Sequence, residues 1–377
     1  MSLRRLYTGL MLVLFGLLVL NGCSSGASLP DSQRLVGQAR VNMRSGNTYM
    51  TYEEYDLALE RYLEVLDENP EYIEALKNIG DIYFFYAETT PAQADEYYFQ
   101  SYHYYDQAIE SYDKIQEEGN YPQFKEIIED ADLKRRGAWA RLFNVGQDLF
   151  TEGMINESLE HFFDLSDLTP DSTNVFVMIA TIYQTQGEDD RAADFFEHIA
   201  EIDPQDTVSR NNLALYHFNN QNYVEAISWY EELIEIDPND PEVYYNIGFV
   251  YMNMEGGGEN QALEAFETAY ELDNTFLDAV INAGFTAFNL MRYDKAVEYF
   301  KEVLEVTPDD QEVTLYLLYA FEHEGNYEEM LEYAQHLYQL DNQSIEAVQF
   351  IILAAHRLER TDLQNEYLEI LNQLEDN

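Results

Sequence analysis

From Thr173 to Pro308 the chain writes one arrangement of apolar and small positions four times. Ala-Thr-Ile-Tyr at 180–183 runs through Gly187 to Ala192, Phe196, Ile199 and Pro204. Leu-Ala-Leu-Tyr at 213–216 leads to Ala226, Tyr230, Leu233 and Pro238. Ile-Gly-Phe-Val-Tyr at 247–251 leads to Ala262, Phe266, Ala269 and Asn274, and Ala-Gly-Phe at 283–285 to Ala296, Phe300, Val303 and Pro308. The small residues Ala192, Ala226, Ala262 and Ala296 are therefore 34, 36 and 34 positions apart. Apolar residues three and four apart fill one face of a helix, and each unit holds two such stretches. Proline closes most of the second stretches, because it has no N–H and disfavours helical geometry in the residue before it. The pattern predicts two helices in each unit and no strands.

A fixed period of about 34 residues resembles the tetratricopeptide repeat, or TPR. The small and aromatic places of each unit carry the same resemblance. It implies an all-α superhelical solenoid of antiparallel helix pairs, about eight to nine repeats long, in which neither helix of a unit buries its apolar stripe alone. Ala180, Ala214, Gly248 and Gly284 are the small residues that let paired helices approach. Regular units are expected at 139–172, 173–206, 207–240, 241–276, 277–310 and 311–344, six in all over 139–344. The two extra residues of 241–276 fall in the Glu255–Gly258 turn, where insertion costs little. A final pair occupies 345–377, and its charged second helix (Asp362 to Glu375) suits an end that faces water.

Residues 31–138 are expected to form an irregular TPR-like region. Its first helix is predicted from Pro30-Asp31-Ser32, with Ser or Asp as cap, to about Arg44, followed by a long loop from Ser45 to Tyr52. A partner helix spans Glu53–Asp67, a good first helix Ile73–Tyr86, and a long helix runs from Pro91 to about Gln116. In that long helix the Ala-x-x-x-Tyr pattern is found only at Ala108 and Tyr112. Tyr98, Tyr102, Tyr105, Ile109 and Tyr112 share one face, while Tyr97, Phe99 and Tyr104 lie off it, as a second buried face or a partner patch. Between Tyr121 and Gly137 the pattern lapses. Lys134, Arg135, Arg136 and Arg141 gather within eight positions at its end, either in helix-face ion pairs such as Asp130 with Lys134 or as a docking spot for an acidic partner.

Residues 1–22 have the make-up of an export signal: Arg4 and Arg5, then an apolar run from Leu10 to Leu20 too short to span a membrane. Leu20-Asn21-Gly22-Cys23 resembles a bacterial lipobox, although Asn is not the commonest residue at its second place. The resemblance implies cleavage before Cys23, a diacylglyceryl group on it (with a third, palmitate-like chain in many bacteria) and a lipidated linker over 23–30. Two or more chains give stable anchoring. Cys23 is the single cysteine, so no disulfide is expected. Ser24 is compatible with sorting to the outer membrane of a Gram-negative cell, which sets the expected location as its periplasmic face.

Charge narrows the partners. The net charge of −52 repels nucleic acid and anionic lipid head groups, leaving the lipid as the only expected membrane contact. Such acidity is most simply a solvated surface, and a source living in high salt accounts for it without any partner. A hydrophobic content of 46% with 31 tyrosines excludes a disordered acidic chain.

Chemistry is scarce. The seven histidines form no His-x-x-x-His pair and no His-Glu-x-x-His. Gly256-Gly257-Gly258 lacks the Lys-Ser/Thr of a phosphate loop, and the acidic turns lack the spacing of a calcium loop. No catalytic residue, metal, cofactor or small-molecule substrate is expected. The TPR resemblance instead points to a concave face lined by first helices. Its recurrent place holds Asn78, Asn144, Met178, Asn212, Asn246, Asn282 and Tyr316. Asparagine both donates and accepts, so a row of them can match a peptide backbone, although asparagine here also suits hydrogen bonds between repeats. Phe143, Phe218, Tyr245, Phe249, Ile281, Phe285, Phe288 and Tyr319 lie beside them as apolar anchors or as core. Lys77 is the one cation placed for a clamp on a C-terminal carboxylate, and the regular repeats offer none before Arg357. The expectation is a non-enzymatic, lipid-anchored interaction scaffold for envelope proteins. The alternative is a self-associating solenoid with no dedicated peptide ligand. Related architectures serve outer-membrane assembly, pilus biogenesis and the control of peptidoglycan enzymes.

Overall fold

A computed structural model describes residues 28–254 and 256–375. The export signal, the lipobox and Cys23 lie outside the described residues, as does Glu255 of the glycine-rich turn. Among the described residues every long element is a helix and no strand occurs. The chain divides into two compact units, one reaching Val175 and the other starting at Phe176.

The first unit contains α1 (Gly37–Thr51), α2 (Tyr55–Glu68), α3 (Ile73–Thr89), α4 (Ala94–Glu118), α5 (Lys125–Thr151) and α6 (Ile155–Leu168). One contact recurs in each pair. A glycine of the first helix receives the flat face of an aromatic ring from the second. A Cβ placed on Gly46 would lie 2.7 Å from the Tyr62 ring, one on Gly80 2.7 Å from Tyr105, and one on Gly146 2.7 Å from Phe162. One helical turn before each ring stands a second small residue: Ala58, Ser101 or Ser158. Ser101 Oγ donates to the Gly80 carbonyl at 3.1 Å, and Ser158 Oγ to that of Gly146 at 2.8 Å. The hydroxyl finds an acceptor in the chain it packs against, so serine can stand in for alanine.

Three sequence expectations are corrected in this unit. The Ser45–Tyr52 segment is not a loop: Ser45 to Thr51 continue α1, and Gly46 is the small residue that admits Tyr62. The helix expected from Pro30 is only a short 3-10 turn at Asp31–Gln33, and α1 starts at Gly37 without a side-chain cap. Gln33 is buried, donating to the Glu71 carbonyl at 2.6 Å and accepting from the Ile73 N–H at 3.1 Å, which ties the turn to the start of α3. The repeat pair of α4 is Ser101 with Tyr105, earlier in the helix than the alignment of Ala108 with Tyr112.

The 121–137 region is likewise no gap in structure. From Lys125 it forms the first half of α5, which at the ordinary helical rise is about 40 Å long. Its basic face is bolted to α3 and α4. Lys134 Nζ lies 2.8 Å from Asp81 and 2.9 Å from Asp130, and Lys77 Nζ 2.6 Å and 2.7 Å from the same carboxylates. Arg135 pairs with Asp106 and Asp132, Arg136 with Asp132, and Arg141 with Glu88. Burial alone would push the Asp130 carboxyl up, but its bonds to Lys77 and Lys134 hold it below the usual aspartate range.

The second unit carries the rest of α7 (Thr173–Gln186), then α8 (Asp189–Ile202), α9 (Thr207–Asn219), α10 (Tyr223–Ile236), α11 (Pro241–Asn253), α12 (Glu259–Leu272), α13 (Leu277–Asn289), α14 (Tyr293–Val306), α15 (Gln311–Glu324), α16 (Tyr327–Leu340), α17 (Ile345–Arg357) and α18 (Thr361–Glu375). Gly248 meets Phe266, and Gly284 meets Phe300, as the glycines of the first unit meet their rings. Acidic turns start the first helices. Asp206 accepts from the Ser209 N–H at 2.6 Å, Asp240 from Glu242 at 2.9 Å and Asp310 from Val313 at 3.0 Å. Asp203 and Asp237 each accept the N–H two residues on, holding the Asp-Pro turn. These carboxylates satisfy backbone donors that a helix start leaves open. Arg210, almost fully buried, donates to the Asp206 carbonyl at 2.7 Å and pairs with Glu232 at 3.1 Å. The final helix, α18, has no buried residue among those described.

Candidate interaction face of the first helices

Within the second unit side chains on one face join α7 to α9, α11 to α13, α13 to α15 and α15 to α17. Gln184 of α7 donates to Asn212 Oδ1 at 3.2 Å. Asn282 Nδ2 lies 3.3 Å from the Tyr245 hydroxyl, joining α13 to α11. Phe285 and Phe288 of α13 sit edge-on to Tyr316 of α15 at 4.7 and 5.3 Å, and Tyr319 meets Phe350 of α17 at 5.0 Å.

The amides divide into two kinds. Asn212 and Asn282 also donate to carbonyls one turn back, Val208 O at 2.9 Å and Asp278 O at 2.8 Å, so much of their bonding capacity lies inside the protein. Asn246 is half-buried and, among the described residues, makes no side-chain hydrogen bond. In the first unit Asn78 Nδ2 reaches Asn47 Oδ1 at 3.5 Å, the oxygen that also accepts from Tyr62 at 2.7 Å, whereas Asn144 is exposed with no such bond among the described residues. Met178 and Tyr316, at the same place in their helices, are half-buried.

The aromatic positions divide as well. Phe249 and Tyr319 keep 37% and 39% of their surface exposed. Tyr245, Phe285 and Phe288 are half-buried and packed on neighbours, Tyr245 against Phe249, Phe266 and Phe276. Burial raises the Tyr245 phenol pKa, with Asp278 adding to it, so it stays a neutral hydroxyl, which accepts from Asn282.

Sequence reasoning missed one feature of this face. A cleft of about 670 Å³ opens among the end of α7, the start of α8 and α9, with Asn212 and Tyr216 on its wall. It forms where a turn, a helix start and a neighbouring helix converge, and no local motif records that.

The other two candidate patches are structural. Tyr97 and Tyr104 are half-buried against Tyr83 and Tyr86 of α3, with Tyr83 and Tyr104 stacked at 5.7 Å. Phe99 lies against His161 at 5.7 Å. Together they form the second packed face of α4. Lys134, Arg135, Arg136 and Arg141 all have carboxylate partners, and so does Lys77, which removes a ready clamp for a C-terminal carboxylate.

Three family models match: a tetratricopeptide repeat model over 173–206, a TPR repeat model over 214–255 and another tetratricopeptide repeat model over 283–345. The chain carries tetratricopeptide repeats. The first match coincides with the α7–α8 pair, and TPRs of this helical kind are modules for holding other proteins. Solved TPR structures resemble the chain at low identity. YrrB, described as a TPR protein with an unusual peptide-binding site, is 19% identical, covering 50% of this chain and 96% of its own with a TM-score of 0.42. PilF of Pseudomonas aeruginosa is 19% identical over 58% of this chain and 98% of its own, with a TM-score of 0.41. The C-terminal part of a TPR protein from Cytophaga hutchinsonii is 17% identical over 62% and 96%, with a TM-score of 0.49. No curated protein matches the chain.

Proposed function

We propose that the chain is a non-catalytic scaffold whose first-helix face holds an extended or helical segment of a cell-envelope protein. The observation that carries this is the face from α9 to α15. There Asn246 lacks an internal partner among the described residues, and Phe249 and Tyr319 remain more than a third exposed, although neighbouring rings are packed. An exposed ring beside an unfilled amide supplies both an apolar anchor and a backbone contact. Anchoring by lipid on Cys23, at the periplasmic face of an outer membrane, completes the proposal and rests on the Leu20–Cys23 motif. No helix among the described residues is long and apolar enough to cross a membrane.

The test is capture from an envelope extract at raised salt, comparing the parent with a variant carrying Asn212→Ala, Asn246→Ala and Asn282→Ala. A protein retained by the parent and lost by the equally helical variant supports the groove. Identical profiles would show that the row is structural. Self-association is the second reading, favoured by the apolar groove of about 310 Å³ between Leu353 of α17 and Leu368 and Leu371 of α18. A sedimentation series showing one monomeric species at all concentrations would remove it.

A further inference from the structure

We propose that the cleft among α7, α8 and α9 receives a lysine or arginine side chain of the bound polypeptide, an inference that rests on the groove function above. Its hydrogen-bonding inventory carries the argument. Apart from the exposed Asn219 amide and the backbone N–H groups that open α8, the donors on its wall are engaged inside the protein. Gln184 Nε2 donates to Asn212, Asn212 Nδ2 to the Val208 carbonyl, and Asn220 Nδ2 to the Tyr216 carbonyl at 3.0 Å. The Tyr216 hydroxyl donates to Asp190 Oδ1 at 2.7 Å. Arg191, the one cation lining the cleft among the described residues, pairs with Glu188 at 2.9 Å and lies 5.4 Å from the Tyr183 ring centre.

The acceptors are not used up. Asp189 makes no hydrogen bond or ion pair among the described residues, and Asp190 has its second oxygen free of such bonds. Glu188, Asp189 and Asp190 outweigh Arg191, leaving the cleft negative. The raised pKa of the Tyr216 phenol reports the same field: its bond to Asp190 acts first, then burial, then the charges of Asp190, Asp194 and Asp189. Beneath the carboxylates lie Ala192, Ala193 and Phe196, with Leu215 beside them. A ligand fitting this arrangement brings donors, positive charge and an aliphatic stem to lie along apolar surface, which describes a basic side chain. The free N–H groups at the start of α8 would by themselves favour an anion, but the negative charges of Asp189 and Asp190 in its first turn oppose one.

The experiment follows fluorescence anisotropy of three labelled octapeptides, alternating Ala-Lys, Ala-Gln and Ala-Glu, on the full chain. Salt at about 0.3 M confines charge effects to within several ångströms. The Lys peptide is expected to bind best, and D189N/D190N to weaken it about fivefold or more, the scale of losing close charge-assisted contacts. An E264Q/E298Q variant, with the same charge change on exposed positions of α12 and α14, should shift it by less than about twofold. Equal weakening by both doubles would reduce the effect to the overall field and overturn the proposal. Equal binding of the Gln and Lys peptides would overturn the cationic site while leaving the groove intact. Preference for the Glu peptide would assign an anion site instead. No binding of any peptide would remove the groove reading as well.

Discussion

Gly248→Ala tests the packing principle on which every helix pair depends. The added Cβ would lie 2.5, 2.7 and 2.8 Å from Cε1, Cδ1 and Cζ of Phe266. Ordinary carbon contacts are about 3.5–4.0 Å, so the ring must retreat by about 1 Å. It has little room, because Phe266 is fully buried and boxed by Tyr245 and Phe249 at centroid distances of 5.7 and 5.6 Å. Overpacking of this kind costs about 1–3 kcal/mol, whereas replacing glycine by alanine inside a helix gains about 1 kcal/mol. The net expectation is a destabilisation of up to about 2 kcal/mol, read by urea unfolding followed by far-UV circular dichroism. The methyl group is not itself at fault: Ala180 and Ala214 occupy this place natively, opposite Phe196 and Tyr230. The clash belongs to the closer approach of α11 and α12. Combining Gly248→Ala with Phe266→Leu should therefore cost less than the sum of the single changes, by about 1 kcal/mol. A variant stabilised by about 1 kcal/mol, with an additive double mutant, would refute the reasoning, since propensity alone would then explain it.

Four further outcomes follow from the same structure. Lys77→Met should cost about 2–4 kcal/mol in the same urea assay, the scale of stranding a partly buried charge network. The Lys77 side chain is 13% exposed, and its loss leaves Asp81 and Asp130 short of a partner. Arg136, by contrast, is 68% exposed. Arg136→Ala should therefore change stability by less than about 0.5 kcal/mol, as for an ordinary surface pair. The thermal midpoint should rise as sodium chloride increases from about 0.05 to about 1 M, because screening relieves self-repulsion in a chain with net charge −52; a flat or falling midpoint in scanning calorimetry would oppose this. Buried phenols set an alkaline limit: burial pushes Tyr230 up to about 12 and Tyr62 and Tyr105 higher still. Their folded pKa values exceed the unfolded value of about 10, so their contribution is fully present below about pH 10 and is lost as pH rises through the folded values. Absorbance titration of tyrosinate combined with circular dichroism would show this as ionisation coupled to unfolding.

The sequence displayed the repeat because its period depends on residues that cannot be exchanged freely. Ala192, Ala226, Ala262 and Ala296 each precede by one turn a ring that packs on a small residue of the partner helix. Where the same geometry used less distinctive residues, the pattern was hidden. Ser45-Gly46-Asn47 has turn-like composition, yet Gly46 is in mid-helix because the Tyr62 ring needs its bare backbone. Ser101 and Ser158 escaped a search for alanine because their hydroxyls find acceptors across the helix pair. The first half of α5 shows no repeat grammar because charge holds it to α3 and α4 more than shape does.

The candidate face was legible only as places in the repeat. Position in a helix identifies Asn212 and Asn282 as neighbours on one face, but not that their nitrogens already donate to Val208, Asp278 and Tyr245. The acidic cleft needed three segments to come together before its surplus of acceptors could be recognised.

Site-specific photo-crosslinking tests the central claim, that the first-helix face holds another polypeptide. A benzophenone side chain would replace Asn212, Asn246 or Asn282 on that face, or Glu231, Glu264 or Glu298 on exposed positions of α10, α12 and α14. The account predicts that one polypeptide is trapped from the three asparagine positions and from none of the glutamates. Trapping the same products from both sets, or only from the glutamates, would contradict it.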